Sequence, residues 1–167
     1  MFYSVGEFMR FTSKVLIERS EIATRSSMKE QDYVCHCYIR ADRLCGVLIS
    51  DQDYPHRVAH TLMSKILDEF ATEVSQTQWP TIRELGANYI KLDQYLARYQ
   101  NPKEADAMTK LQNDLDETKI ILTSTITSIL ERGEKLDNLI AKSDDLSIQS
   151  KIFYQTARKT NQCCQYY

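Results

Sequence analysis

Leu130-Glu131-Arg132-Gly133-Glu134-Lys135-Leu136-Asp137-Asn138-Leu139 is the stretch on which the reading of this chain turns. Arg132 falls on a seam of helix-spaced, mostly apolar residues: Met108, Leu111, Leu115, Thr118, Leu122, Thr125, Ile129, Arg132, Leu136, Leu139, Ser143, Leu146, Ser150, Phe153, Ala157 and Thr160. The steps alternate three and four without a break, the 3.5-residue period of helices that supercoil around partners. An arginine at such a position is desolvated on packing and costs stability unless the partners supply acceptors. At the centre of a zipper it therefore reads as a register device.

The seam is not a strong one. Six of its sixteen positions are polar, namely Thr118, Thr125, Arg132, Ser143, Ser150 and Thr160. Gly133 lowers helix propensity by about 1 kcal/mol relative to alanine. The segment is therefore expected to be frayed or disordered alone and to fold when partners cover it. Ile121, Ile126 and Ile140 flank the seam and widen the apolar stripe. A wide stripe suits a four-helix bundle, although periodicity alone leaves a two-stranded coiled coil open.

The central stretch resembles the middle of an R-SNARE motif. Leu115-Asp116-Glu117-Thr118-Lys119, Phe153 and the run Ala157-Arg158-Lys159 resemble the same family. The resemblance implies a v-SNARE coiled-coil motif over 104–160, whose core seam runs over 108–160. It also implies that Arg132 meets three glutamines from partner helices in a parallel four-helix bundle. A guanidinium suits that place because it is planar, permanently charged and forks its donors toward carbonyl oxygens.

At 167 residues the chain holds one small domain plus a long helix. Its formal net charge is −2, with ten acidic and eight basic residues from Glu104 onward. Such a balance creates no field for nucleic acid. No run approaches the roughly 18 apolar residues of a membrane span. Glu7 and Arg10 interrupt any signal-peptide pattern, so the chain is expected in the cytosol. The five cysteines, Cys35, Cys37, Cys45, Cys163 and Cys164, show no disulfide-framework spacing. Cys35-His36-Cys37 has no second ligand pair, and zinc sites want four converging ligands. It reads as sheet packing, with the two cysteines on one face and His36 on the other. No metal, cofactor or small-molecule substrate is expected, nor any catalytic set.

The front half reads as a helix over 5–19, with Val5, Phe8, Thr12, Val15 and Leu16 on one face. A hairpin of 32–40 and 44–50 follows, turning at Ala41-Asp42-Arg43. Pro55 then opens a helix with the face Val58, Ala59, Leu62, Ile66, Phe70 and Val74, Leu67 lying beside it. Trp79-Pro80 breaks that helix, and another covers 88–99 with Tyr89, Leu92, Tyr95, Leu96 and Tyr99. This order, together with Asp32-Tyr33 and Arg98-Tyr99-Gln100-Asn101-Pro102, resembles a longin domain. The resemblance is to the lipid-anchored, longin-bearing R-SNAREs often called synaptobrevin homologues. It implies an α+β fold: a profilin-like longin domain over 1–103, then the long SNARE coiled-coil helix, then a lipid-anchor tail over 161–167. A longin domain begins with strands before its first helix, and here the helix comes first. The expectation is a shortened domain with one hairpin and three helices, weakly folded and poor at closing over the SNARE helix.

The resemblance also implies that Cys164 is prenylated and Cys163 palmitoylated. After Asp145 there is no acidic residue, and Lys151, Arg158 and Lys159 favour an anionic membrane surface. The ending Gln165-Tyr166-Tyr167 departs from the aliphatic pattern of a prenylation box. The function implied is membrane fusion in ER–Golgi and endomembrane transport. It would be exercised from the cytoplasm and the cytosolic face of Golgi and vesicle membranes, with glutamine SNARE helices as partners. The alternative is a regulatory or decoy module that binds glutamine SNAREs without an anchor.

Overall fold

The computed structural model describes residues 2–30, 33–83, 89–101, 103–104 and 120–163. The chain forms two compact units, one of Glu21–Ser124 and one of Met1–Ser20 with Thr125–Tyr167.

The first of these is built on β1 (Thr24–Glu30), β2 (Tyr33–Ile39) and β3 (Cys45–Asp51). They run as an antiparallel meander with Met28 opposite Cys35 and Cys37 opposite Val47. A short strand, β4 (Leu122–Thr125), extends the sheet on the far side of β1, giving the order β3-β2-β1-β4. The expected hairpin is β2–β3, but a two-stranded sheet is not what forms. β1 was unreadable because Thr24-Arg25-Ser26-Ser27-Met28-Lys29-Glu30 alternates no apolar residues. Its place is set by pairing with β2, which is buried on both faces through Val34, Cys35, His36, Cys37 and Ile39. The β2–β3 turn falls where the sequence puts it. Arg43 takes a left-handed φ of 70°, and the Asp42 carboxylate receives the Leu44 amide and the Arg40 guanidinium.

Pro55 caps α2 (His56–Glu73). The helix buries Val58, Ala59, Leu62 and Leu67 as its apolar spacing requires, but the face is rotated. His60, Met63 and Ser64 are buried too, while Ile66, Phe70 and Val74 are only half-buried. Two contacts accompany the rotation. Leu67 packs over Gly46 on the sheet, where a Cβ would stand 3.5 Å from it, an ordinary contact. Phe70 is drawn aside to meet Tyr89 edge-on, with centroids 5.6 Å apart. The Trp79-Pro80 stretch forms a 3-10 turn (Gln76–Thr81), and the Trp79 indole donates to the Val74 carbonyl at 3.0 Å. α3 (Lys91–Arg98) follows. Tyr99 just beyond it joins a cluster with Tyr54, Val58, Ala59 and Leu62, and the Tyr54 hydroxyl donates to the Tyr99 carbonyl at 3.0 Å.

The three histidines of the chain gather between β2 and α2. His36 lies 5.1 Å from His56 and 5.6 Å from His60, ring to ring. The Ser27 hydroxyl sits 2.8 Å from His36 Nδ1 and 3.0 Å from His60 Nε2, while His36 Nε2 is 3.1 Å from the Ser50 hydroxyl. Ser50 spends its proton on the Asp51 carbonyl at 2.8 Å. His36 Nε2 must then be a donor and its Nδ1 an acceptor, so Ser27 donates to His36 and receives the His60 Nε2 proton. That leaves His60 Nδ1 as a buried lone pair without a partner among the described residues.

Burial first, and the neighbouring His60 and His56 second, lower the His36 pKa from 6.5 to about 3. Burial, then the nearby Arg25 and His56, lowers that of His60 to about 4. Both rings stay neutral in the fold and titrate near 6.5 once unfolded, so unfolding takes up protons between those values. Stability should be whole above pH 6.5. Below it, stability should fall by roughly 1.4 kcal/mol per histidine for each pH unit down toward 4. Urea denaturation across that range checks it, and a flat profile would show that these rings titrate freely in the fold.

Candidate helix-bundle seam

The second unit joins α1 (Phe2–Arg19) to the seam-bearing stretch. Thr12, Val15 and Leu16 on the expected face of α1 are buried, and Val5 and Phe8 are half-buried. The seam stretch is not one helix. After β4 comes a 3-10 turn (Ile126–Ile129), then α4 (Leu136–Lys142) and α5 (Ile148–Cys163). α1 packs along α5 and touches the 3-10 turn. The single long helix expected from the periodicity is therefore replaced by short pieces folded back on α1. In the described residues α1 supplies a cover for part of the stretch.

The breaks fall at Gly133, at the seam residue Ser143 and at Ser147 beside the seam. At the centre, Gly133 adopts φ 85° in a turn whose Glu134 amide donates to the Glu131 carbonyl at 2.9 Å. Farther on, the Asp145 amide donates to the Ser143 hydroxyl at 3.1 Å. The Ser150 amide donates to the Ser147 hydroxyl at 3.2 Å, which starts α5 in the manner of a helix cap. Serine side chains that compete with the backbone favour such ends over helix interiors.

Seam residues are divided by this folding. Leu136 is 6% exposed, Leu146 5% and Ser150 1%. Ile129, Leu139, Ser143 and Phe153 are half-buried, while Leu122, Thr125, Arg132 and Ala157 are exposed. Arg132, expected at a desolvated centre, thus stands in water at the Gly133 turn. Met108, Leu111, Leu115, Thr118 and Cys164 lie outside the described residues, as do the side chains of Thr160 and Cys163.

Polar contacts fasten α1 to the seam stretch. The Glu7 carboxylate accepts the Ser147 amide at 3.2 Å and the Ser147 hydroxyl at 2.6 Å, and it also takes the Ser150 hydroxyl. Bonds to a charged acceptor contribute about 1.5–3 kcal/mol each. Arg19 grips both oxygens of Glu134 at 3.0 and 3.2 Å in a half-buried pair. Lys14 meets Asp145 at 3.0 Å in water, where an ion pair contributes little. Phe8 stacks on Tyr154, with centroids 5.1 Å apart. Tyr154 in turn donates to Asp137 at 2.7 Å, and Arg158 pairs with the same carboxylate, tying α5 to α4. Sequence reasoning missed Glu7, Lys14 and Arg19 as partners of the seam. Nothing in their local pattern links them to residues more than a hundred positions away.

Elsewhere, burial, with the neighbouring Cys37 and Glu30, pushes the Cys35 thiol up to about 12, so it is an inert packing group. No group of His, Cys, Asp and Glu among the described residues is arranged to hold a metal ion. No helix among them is long and apolar enough to cross a membrane.

Residues 2–96 match the longin family, described as a regulated-SNARE-like domain, and residues 107–165 match the synaptobrevin family. The chain is 51% identical over 164 residues to synaptobrevin homolog ykt6 of Schizosaccharomyces pombe, covering 96% of this chain and 81% of that protein. This chain belongs to the longin-bearing R-SNAREs of the synaptobrevin-homologue type. The synaptobrevin homolog YKT6 of Yarrowia lipolytica is 47% identical over 96% of this chain and 82% of its own. That of Saccharomyces cerevisiae is 45% identical over the same shares. The α+β fold is longin-like in its meander sheet and helices, followed by the synaptobrevin region. Membership gives the R-SNARE a role in vesicle transport, exercised through interaction with other SNARE helices.

Gly133 is the residue on which the bend of this R-SNARE depends. A side chain at φ 85° is strained by about 1–2 kcal/mol, and alanine favours helix over glycine by about 1 kcal/mol. Gly133→Ala should therefore shift the stretch toward a continuous helix by about 2 kcal/mol. Assembly with partner SNARE helices should tighten tenfold or more in a titration followed by circular dichroism. Assembly equal to wild type would show that the turn is no barrier.

Proposed function

We propose that the chain contributes one arginine-centred helix to a parallel four-helix bundle with three glutamine SNARE helices, driving fusion in ER–Golgi and endomembrane transport. The observation that carries this reading is the unbroken seam with Arg132 at its middle, lying wholly inside the synaptobrevin match of 107–165. In this reading 104–160 is the SNARE motif and 1–103 the longin-like domain. The remaining 161–167 is the anchor, with Cys163 palmitoylated and Cys164 prenylated. Two lipid chains are what stable anchoring takes, because one holds a membrane only weakly. The site of action is the cytosolic face of Golgi and vesicle membranes, and the protein acts by folding and pairing rather than by catalysis.

The mechanism has two stages. In the chain folded on itself, Leu136, Leu146 and Ser150 are buried and Glu7 holds Ser147 and Ser150. Partner helices that offer a longer apolar groove compete for the same side chains. As the seam straightens, Arg132 leaves water and enters the bundle centre, where it needs carbonyl acceptors. Three glutamine amides supply them without adding charge. Zippering toward α5 then draws the lipid-bearing end toward the opposite membrane.

Mixed with matching glutamine SNARE helices, the chain should gain helix in its SNARE stretch, and circular dichroism of the parts against the mixture measures it. Arg132→Ala should weaken or misregister the bundle by a few kcal/mol, because partner glutamines stay buried without their charged donor. A compensating Gln→Arg in one partner should restore assembly. Unchanged fusion of reconstituted vesicles by the alanine variant would refute the role given to Arg132.

A further inference from the structure

In the sheet unit, α2 and α3 face each other across a cavity of about 290 Å³. Lys65 and Glu69 line it from α2, one turn apart. Lys91, Gln94, Tyr95 and Arg98 line it from α3, where their spacing puts them on one face. Every lining residue is helical, so the cavity belongs to the helix layer.

Three cations line this cavity against one carboxylate, and that carboxylate is already engaged. Glu69 takes the Tyr95 phenol proton at 2.7 Å on one oxygen and the Tyr89 phenol proton at 3.4 Å on the other. Burial first, then the bond to Glu69, raises the Tyr95 pKa, so the phenol stays a donor. Lys91 pairs with Glu73 outside the lining. Lys65 is different. It is half-buried, and its ammonium lies 5.4 Å from the centroid of the Tyr95 ring. Among the described residues it makes no ion pair and no hydrogen bond. A cation over a ring keeps its N–H donors unspent.

We propose that this cavity binds a phosphate ester, with Lys65 at its centre, Lys91 and Arg98 on either side and the Gln94 amide as a neutral donor. A lysine brings three donors and a glutamine amide two, so the set exceeds what the two oxygens of a carboxylate ligand accept. A phosphate monoester offers three oxygens and up to two negative charges, and it uses such a set fully. Lys91 and Arg98 stand two turns apart, roughly 10 Å along the helix, with Tyr95 and the Lys65 ammonium between them. That spacing admits a second phosphate on the same ligand. The volume lies at the small end of the about 300–1,000 Å³ of small-molecule sites. A compact polyol carrying more than one phosphate is the class that fits. A free polyol phosphate and a lipid headgroup share that chemistry.

Nuclear magnetic resonance of the isotope-labelled full chain tests it, with inositol trisphosphate and inorganic phosphate each titrated to about 10 mM, beyond weak dissociation constants. Signals of Lys65, Gln94 and Tyr95 should move saturably. The trisphosphate should bind about tenfold tighter than inorganic phosphate, because it reaches the outer cations as well as Lys65. Lys65→Gln should weaken trisphosphate binding about tenfold, while Lys65→Arg should retain it. If a variant does not fold, the shifts of the unaltered chain and the ratio of the two affinities decide the matter. Phosphatidylcholine vesicles with and without phosphatidylinositol bisphosphate distinguish the sources. Displacement of the trisphosphate by the doped vesicles alone supports a headgroup, and binding without displacement supports a soluble ester. Unmoved signals at the three residues, shifts confined to Lys151, Arg158 and Lys159 on α5, equal affinity for both probes, or binding unchanged in Lys65→Gln would each overturn the proposal.

Discussion

Leu136, Leu146 and Ser150 are buried in the chain folded on itself, and the same side chains fall on the heptad-spaced seam that faces partner helices in the proposed bundle. A side chain can be buried against one surface at a time. In that proposal the behaviour of this R-SNARE depends on the conflict. Removing a leucine from water is worth roughly 1.5–3 kcal/mol, whichever surface covers it. The choice between the two states therefore rests on smaller differences. These are the bonds to Glu7, the half-buried Arg19–Glu134 pair and the backbone preference of Gly133.

The polar seam positions, which look like defects in a coiled coil, have a use in the folded-back state. Ser143 takes the Asp145 amide and Ser150 reaches Glu7, while Ser147, beside the seam, takes the Ser150 amide. Each therefore favours a short helix with a defined end over a continuous one. A seam of leucines alone would lack these ends and would hold its straight form too readily. Arg132 shows the same economy. It is exposed at a turn in the single chain and carries no desolvation cost until acceptors are at hand.

The sheet unit follows a different logic. β2 is buried on both faces, so its polar members must be satisfied internally. His36 is satisfied by Ser27 and Ser50, and Ser27 in turn joins it to His60 on α2. One hydroxyl thus links two strands and a helix. The Cys35-His36-Cys37 run belongs to this packing, the cysteines on one face and the imidazole on the other, as strand alternation requires.

Much of this was legible in the sequence. α2 after Pro55, the β2–β3 turn at Asp42 and the break at Trp79-Pro80 all follow from local rules of spacing, turn chemistry and backbone freedom. β1 was not legible, because its alternation is polar and its strand state comes from pairing with a buried neighbour. Nor was the rotation of α2, which goes with Leu67 packing over Gly46 and with Phe70 meeting Tyr89 edge-on. The seam shows the division most plainly. Its sequence determines which residues share a helical face when the stretch is straight. Only the tertiary structure decides that α1 covers part of that face first, because Glu7, Lys14 and Arg19 lie more than a hundred residues away from their partners and periodicity carries no record of contacts at that range.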